Sequence, residues 1–147
     1  MVAPVTAAIA LDLGTTSVKA GLLGSDDNLV EVFSIPAPEM TVHEGQYESD
    51  GMAYLEIVNR LLEKCLANVT DNPPLGLCSQ RSSFLIWDRT TGLPVTHLIS
   101  WQDNRGAQCC ALLWNHESLI KSLTGLHLAP YYFAPKVHGL LKERPEL

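Results

Sequence analysis

The first third of the chain alternates short apolar runs with tight polar breaks. Ala7 to Leu13, Ser17 to Leu23 and Asn28 to Ile35 are separated by "GTT" and "GSDDN". Short runs bounded by Gly, Asp and Asn read as strands joined by hairpins, so an antiparallel three-strand meander is predicted. "PAPEM" ends the third strand, and "TVHEGQYESD" follows as a polar connection. The period then changes. Ser49 and Asp50 offer an N-cap before "GMAYLEIVNRLLEKCLAN", where Leu55, Val58, Leu62 and Cys65 or Leu66 fall at helical spacing. "TDNPP" closes that helix, and "LGLCS" reads as a short buried strand running into Gln80-Arg81-Ser82-Ser83.

Strand, helix and strand in that order predict a right-handed crossover with parallel pairing. If Leu75 to Ser79 lies beside the first strand, Asp12 and Arg81 emerge at one edge of the sheet. That edge, at the carboxyl ends of parallel strands, is where open α/β sheets take ligands. A hairpin over "FLIWDRTTGLPVTHLISW" comes next, with Asp88 to Pro94 as its loop. Helical segments around Arg105 to Asn115 and Glu117 to Leu123 follow, then "LAPYYFAP" and a last helix from Lys136 to Glu143. There is no internal repeat. The expected class is α/β, a mixed sheet flanked by helices.

Composition narrows the function. The 147 residues suffice for one compact domain, and 46% hydrophobic with 18% charged residues is ordinary globular usage. A formal charge of −6 offers no general attraction to nucleic acid or an anionic membrane, so a phosphate-bearing ligand needs its own local donors. No apolar stretch approaches bilayer length and no charged leader precedes Lys19, which predicts a cytoplasmic protein. Cys65, Cys78, Cys109 and Cys110 lack metal or disulfide spacing, so reduced thiols are expected. The five histidines are scattered and form no metal pattern.

The candidate chemistry begins at Asp12. A carboxylate at the end of a strand that reads as buried needs a cation or donors to meet it. Gly14 lets the backbone approach a ligand, and successive N–H groups of the turn can form an anion nest. Thr15, Thr16 and Ser17 add hydroxyls, Lys19 adds a point charge, and Asp12 would hold a Mg²⁺ ion through its waters. This is not a P-loop, because the turn leads into a strand and the Gly-Lys-Ser/Thr signature is missing. A β-hairpin with a polar turn and a solvated Asp fits the same residues.

"LDLGTTSVKAGLLG" resembles the first phosphate motif of the actin, Hsp70 and sugar-kinase superfamily. Within it the chain resembles the FGGY carbohydrate kinases, glycerol kinases in particular, along nearly its whole length. "GQYESD" is similar to the family's Gly-Trp-Val-Glu-His-Asp at Gly45, Glu48 and Asp50. "GLCSQRSSFLIWDRTTGLPVTHLISWQDNR" resembles the stretch holding Asn-Gln-Arg-Glu and Trp-Gln-Asp-x-Arg, and "TGLHLAPYYFAPKV" the Thr-Gly-Leu, Pro-Tyr-Phe and Lys-Val motifs. The resemblance implies a ribonuclease H-like, actin-like ATPase domain. It implies an incomplete N-terminal FGGY domain over residues 1–147, with a phosphate hairpin at 9–24 and sugar-contact segments at 76–105 and 124–136. It also implies ATP and Mg²⁺ as cofactors and a small sugar or polyol as acceptor.

By the same resemblance Arg81, Trp101 and Tyr131 contact the acceptor, with Gln80 and Asp103 as weaker candidates that orient Arg81 or Arg105. Ser82 stands where glycerol kinases have Glu, so another short polyol or a sugar fits equally well. Tyr132 stands where the family usually has Phe, which leaves two adjacent tyrosines as possible contacts. The family's general-base Gly-Asp-Gln motif and its C-terminal nucleotide domain are absent. No catalytic residue is therefore assigned, and the isolated chain is expected to be inactive, with self-association or a complementing C-terminal half as possible partners. Two functions from different classes remain: a carbohydrate or polyol kinase represented by its N-terminal part, or a non-catalytic nucleotide- and sugar-binding module. A thiol or metal protein built on Cys109 and Cys110 has no coordination set to support it.

Overall fold

The computed structural model describes residues 6–70 and 72–147; Asp71, part of the predicted "TDNPP" break, lies outside them. The chain divides into two compact units, one of residues 1–39 and 50–80, the other of residues 40–49 and 81–147.

The first unit is a four-stranded sheet with one helix. Strands β1 (Thr6–Leu13), β2 (Ser17–Gly24) and β3 (Leu29–Pro36) form the expected meander. Asp27, with φ of 62°, supplies the left-handed residue of the second turn. Helix α1 spans Gly51–Leu66, and the Asp50 carboxylate caps it by accepting from the backbone N–H of Met52 at 2.8 Å and Ala53 at 3.1 Å. The strand Leu75–Ser79, which becomes β6 in chain order, pairs parallel with β1 and completes the order β3-β2-β1-β6.

Two details differ from expectation. The buried stripe of α1 is Tyr54, Leu61 and Cys65: Cys65 lies inside as one of the two readings had it, while Tyr54 and Leu61 lie one residue back from the expected Leu55 and Leu62, and Leu55 and Leu66 face outward. Tyr54 takes the inner position because its ring offers more apolar area than Leu55 and its hydroxyl finds an acceptor. The first and last strands are also less buried than they read. Ile9 and Leu11 are buried but Ala10 and Asp12 are exposed, and every residue of β6 is exposed. The helix packs over β2 and β3, which leaves β6 an edge strand with Leu75 and Leu77 in the open.

The second unit has a small sheet with three helices and a 3-10 turn. Strands β4 (Met40–His43) and β5 (Gln46–Ser49) form a hairpin where a polar connection was expected. Its turn residues Glu44 and Gly45 both have positive φ, 47° and 81°, as a two-residue hairpin of this hand requires. Glutamate is no usual signal for that conformation, so the hairpin was masked. Strand β7 (Leu98–Ile99) pairs with β5, and bridges at Phe84–Ile99 and Trp87–Pro94 are what remains of the predicted hairpin around Asp88 to Pro94.

Helices α2 (Ala107–Leu113), α3 (Glu117–Thr124) and α4 (Phe133–Glu143) complete the unit, with a 3-10 turn at Trp114–His116. Helix α4 starts three residues before the predicted Lys136. Two glycines allow α2 and α4 to approach closely. A methyl on Gly139 would run into the Arg105 carbonyl, and one on Gly106 would lie 2.6 Å from the Pro130 carbonyl oxygen. Replacing Gly139→Ala should therefore destabilise the protein by about 1–3 kcal/mol through overpacking, despite the better helix propensity of alanine. Denaturant unfolding of the variant checks this, and a gain in stability would refute the close packing.

Candidate functional site

In the first unit the candidate residues gather at the β1–β2 turn. Gly14 carries no left-handed backbone; it supplies room, since a Cβ there would sit 2.6 Å from the Ser17 carbonyl oxygen. The turn is held from below. The Tyr54 hydroxyl donates to the Gly14 carbonyl at 2.7 Å and accepts from Gln80 Nε2 at 3.4 Å. Burial, with the nearby charge of Asp12, pushes the Tyr54 phenol up against the opposing Gln80 bond, so it stays a donor at neutral pH. Gln80 thus helps to fix the turn. From the other side the Ala37 N–H donates to the Thr16 carbonyl at 3.0 Å.

Asp12 is not the buried carboxylate its strand suggested. It lies on the sheet face away from α1, directly across from Lys19 on β2 and Cys78 on β6. The opposite charges of Asp12 and Lys19 sit as a cross-strand pair. Together they line a shallow depression of about 400 Å³, with Ala10, Gly21 and Gly76 beneath. Leu29, Val32 and Leu77 also line it, so its wall is largely apolar, with one anion and one cation among the lining residues. Thr15, Thr16 and Ser17 follow directly on the turn, half-buried or exposed.

In the second unit two loops and the start of α4 bring candidate residues together. The bridge pair exchanges Phe84 N–H to Ile99 O at 3.0 Å and Ile99 N–H to Phe84 O at 2.8 Å. Above it the Trp101 N–H donates to Ser83 Oγ at 2.8 Å. Arg81 is exposed, Trp101 is 45% exposed and Tyr131 is 39% exposed. Tyr131 shares a hydrogen bond of 3.1 Å with His127 Nε2, and its ring lies 4.6 Å from that of Tyr132. The Tyr131 hydroxyl pushes the Tyr132 phenol up, while the positive charge of Arg81 opposes the shift. Ser82 has a left-handed backbone, φ 63°, unusual for a residue with a side chain.

Asp103 belongs elsewhere. It is fully buried, and its carboxylate accepts from the Arg105 N–H at 3.0 Å, Arg105 Nε at 2.8 Å and the Tyr47 N–H at 2.8 Å. Burial alone would push its carboxyl up, but these bonds outweigh it and hold it below the usual range. Arg105 also pairs with Glu48 at 2.5 Å, and these anions keep its guanidinium firmly charged against the cost of burial. With both oxygens occupied, Asp103 orients Arg105 and is no acceptor contact. The match at Glu48 was noted in the sequence, but its partner was not.

The residue that sequence reasoning passed over is Lys136. It is fully buried in α4, with Nζ donating to the Ser82 carbonyl at 2.5 Å and the Ser100 carbonyl at 2.7 Å, over the Phe84 ring at 5.5 Å. Its only signal was a place in the Lys-Val motif. Burial lowers this ammonium to about 8, partly offset by Asp103 and reinforced by Arg105. Folded-state depression makes stability rise with pH between about 8 and 10.5, where only the unfolded chain still holds the proton. Below pH 8 both states are charged and the penalty is constant. Unfolding free energies of wild type and Lys136→Met, taken from pH 7 to 10.5, should differ by a slope confined to that window.

Comparisons with known proteins cover nearly the whole chain. The model of the FGGY family of carbohydrate kinases, N-terminal domain, matches residues 7–147. An apulose kinase of Pectobacterium atrosepticum is 37% identical over 141 residues, covering 93% of this chain and 28% of that protein. A glycerol kinase of Aquifex aeolicus is 31% identical over 136 residues, covering 91% and 28%. The chain thus spans a little over a quarter of the length of these relatives. Among solved structures, Plasmodium falciparum glycerol kinase with ADP superposes with a TM-score of 0.81 at 24% identity, over 95% of this chain and 29% of that one. A ligand-bound xylulose kinase from Lactobacillus acidophilus gives 0.83 at 22% identity, over 95% and 29%. These two likenesses establish the fold, a mixed sheet of the actin-like ATPase type. Among the described residues no cluster of three or more His, Cys, Asp or Glu is placed to hold a metal, and no helix is long and apolar enough to cross a membrane.

Proposed function

This chain belongs to the FGGY family of carbohydrate kinases, and from that membership we propose that it is the N-terminal portion of an ATP-dependent kinase acting on a hydroxyl of a small carbohydrate or polyol. The observation that carries the reading is the β1–β2 turn. Gly14 is pressed against Ser17, Tyr54 holds the turn from beneath, and Asp12 and Lys19 stand open on the adjoining face. A turn without a side chain at Gly14, followed by three hydroxyls, suits phosphate oxygens. The relatives are kinases of apulose, glycerol and xylulose by name, which supports the same class for this chain.

Each group then has a task. The Asp12 carboxylate, exposed and a hard oxygen donor, fits the waters of a Mg²⁺ ion that also meets phosphate oxygens. When bound, that ion neutralises charge on the phosphates in the transfer. Thr15, Thr16, Ser17 and the turn N–H groups hold the phosphate chain, with Lys19 as a point charge. Arg81 and Tyr131 direct hydrogen bonds to acceptor hydroxyls, and the half-exposed Trp101 gives a flat face for C–H groups. Ser82 contributes a neutral contact in place of a carboxylate. The general base and adenine pocket belong to the remaining length of the protein, so the isolated 147-residue chain is inactive. The exposed β6 edge suits further strands from that remainder or from another copy. The site of action is the cytoplasm.

The reading predicts a native gene product several times heavier than 16.1 kDa that releases ADP when offered a polyol or sugar from a broad panel. Asp12→Ala in it should lower kcat by about 10²–10³-fold and weaken Mg-nucleotide binding, and Arg81→Ala should chiefly raise the KM for the acceptor. No turnover across the panel, with nucleotide and sugar still bound in calorimetry, would replace the kinase by the non-catalytic module that Ser82 also allows. Unchanged nucleotide binding by Asp12→Ala would remove Asp12 from the site.

A further inference from the structure

Three segments of the second unit carry the acceptor candidates: Arg81 and Ser82 in one, Trp101 in another, Tyr131 just before α4. Backbone pairing joins the first two at Phe84 and Ile99. Beyond that pair, Ser83 Oγ accepts from the Trp101 N–H. Lys136 Nζ reaches the carbonyl of Ser82 in the first segment and the carbonyl of Ser100, next to Trp101, in the second. Its own backbone N–H donates to the Tyr132 carbonyl at 3.4 Å, in the third. The side chain thus ties two of the segments together, and its helix carries on from the third.

The energetics make this an unusual choice for mere packing. An ammonium with no solvent exposure is costly unless its protons are used. A Leu or Met would fill the same space at lower cost. Two carbonyl acceptors and the Phe84 ring compensate, and the two carbonyls are those flanking the residues that face the acceptor. Ser82 adds a second sign. Its left-handed backbone is a strained conformation for serine, and the charge-assisted bond to Lys136 is what holds its carbonyl inward.

We propose that Lys136 is the positioning residue of the acceptor site, its buried ammonium fixing Arg81, Ser82 and Trp101 against the Tyr131 segment without touching the acceptor. This rests on the kinase reading above, and names the device that sets that site's geometry.

The test uses the native gene product with ATP and whichever polyol or sugar the wild type turns over. Lys136→Met, which keeps the stem and loses the donors, should raise the acceptor KM about tenfold or more while the KM for ATP stays within twofold. Lys136→Gln, with two N–H donors and no charge, should recover part of the loss. An unchanged acceptor KM, or equal losses toward acceptor and ATP, overturns the proposal. A second readout is independent of turnover: with 5-fluorotryptophan incorporated, the Trp101 fluorine resonance, assigned through Trp101→Phe, should shift or broaden in Lys136→Met while those of Trp87 and Trp114 hold. A Trp101 signal that does not move, or all three moving together, also overturns it. If the wild type turns nothing over, the kinase reading fails and the fluorine spectrum still decides the role of Lys136.

Discussion

Lys136 buries a full charge with no solvent exposure, and it does so between the backbone carbonyls of Ser82 and Ser100, the second of which also accepts from the Asp103 N–H at 3.1 Å. A buried ammonium cannot be left unpaired at tolerable cost, so the loops that supply those carbonyls must come to it. The unusual backbone of Ser82, the placement of Ser100 and the seat of α4 follow from that requirement. The neighbouring Asp103–Arg105–Glu48 group obeys the same rule, and it anchors the β5 strand through the Tyr47 N–H. The first unit does on a smaller scale what the second does with charges. There the Tyr54 hydroxyl, one neutral donor, pins the Gly14 carbonyl. In each unit the candidate site residues are exposed or half-buried, and the groups behind them are buried and paired.

That division explains which parts were legible. The meander, the cap at Asp50 and the parallel strand before Gln80 could be read because local chemistry decides them: turn residues, a capping carboxylate and a strand-helix-strand order. The start of the α1 stripe was off by one residue because Tyr54 and Leu55 are both apolar enough to face inward, and the larger ring and the acceptor at Gly14 decide for Tyr54. The β4–β5 hairpin was missed because its turn uses Glu44 in a conformation that glycine or asparagine usually signals. Exposure was misjudged at Asp12 and along β6, since an apolar run does not say how far one helix extends over a sheet.

At the candidate site the sequence pointed to exposed side chains and passed over buried ones. Arg81, Trp101 and Tyr131 came from the family resemblance, and the structure leaves all three open to solvent. Asp103 was read as able to orient Arg81 or Arg105, and its carboxylate holds Arg105 together with the Tyr47 N–H. Lys136 was passed over because a lysine in a polar-looking helix reads as solvated, and its burial depends on contacts 36 and 54 residues away in the chain. Long-range pairing of this kind leaves no local pattern to find.

Charge gives the last constraint. The chain carries a formal −6, so at distances beyond about 8 Å, the Debye length at physiological salt, it offers a polyphosphate nothing favourable. Whatever affinity the β1–β2 turn has must arise within the turn, from N–H groups, hydroxyls and Lys19, with a divalent ion needed to offset Asp12. Asp12 on its own repels a phosphate, and it contributes only when a cation lies between them. A carboxylate placed beside such a turn therefore makes sense for a metal-bound polyphosphate and works against a bare anion. The same reasoning separates the two clusters chemically. A neutral carbohydrate would need donors on loops held rigidly, as Lys136 and the Asp103–Arg105 pair hold the loops of the second unit, whereas a polyphosphate at the β1–β2 turn would need a divalent ion beside Asp12 to offset its charge.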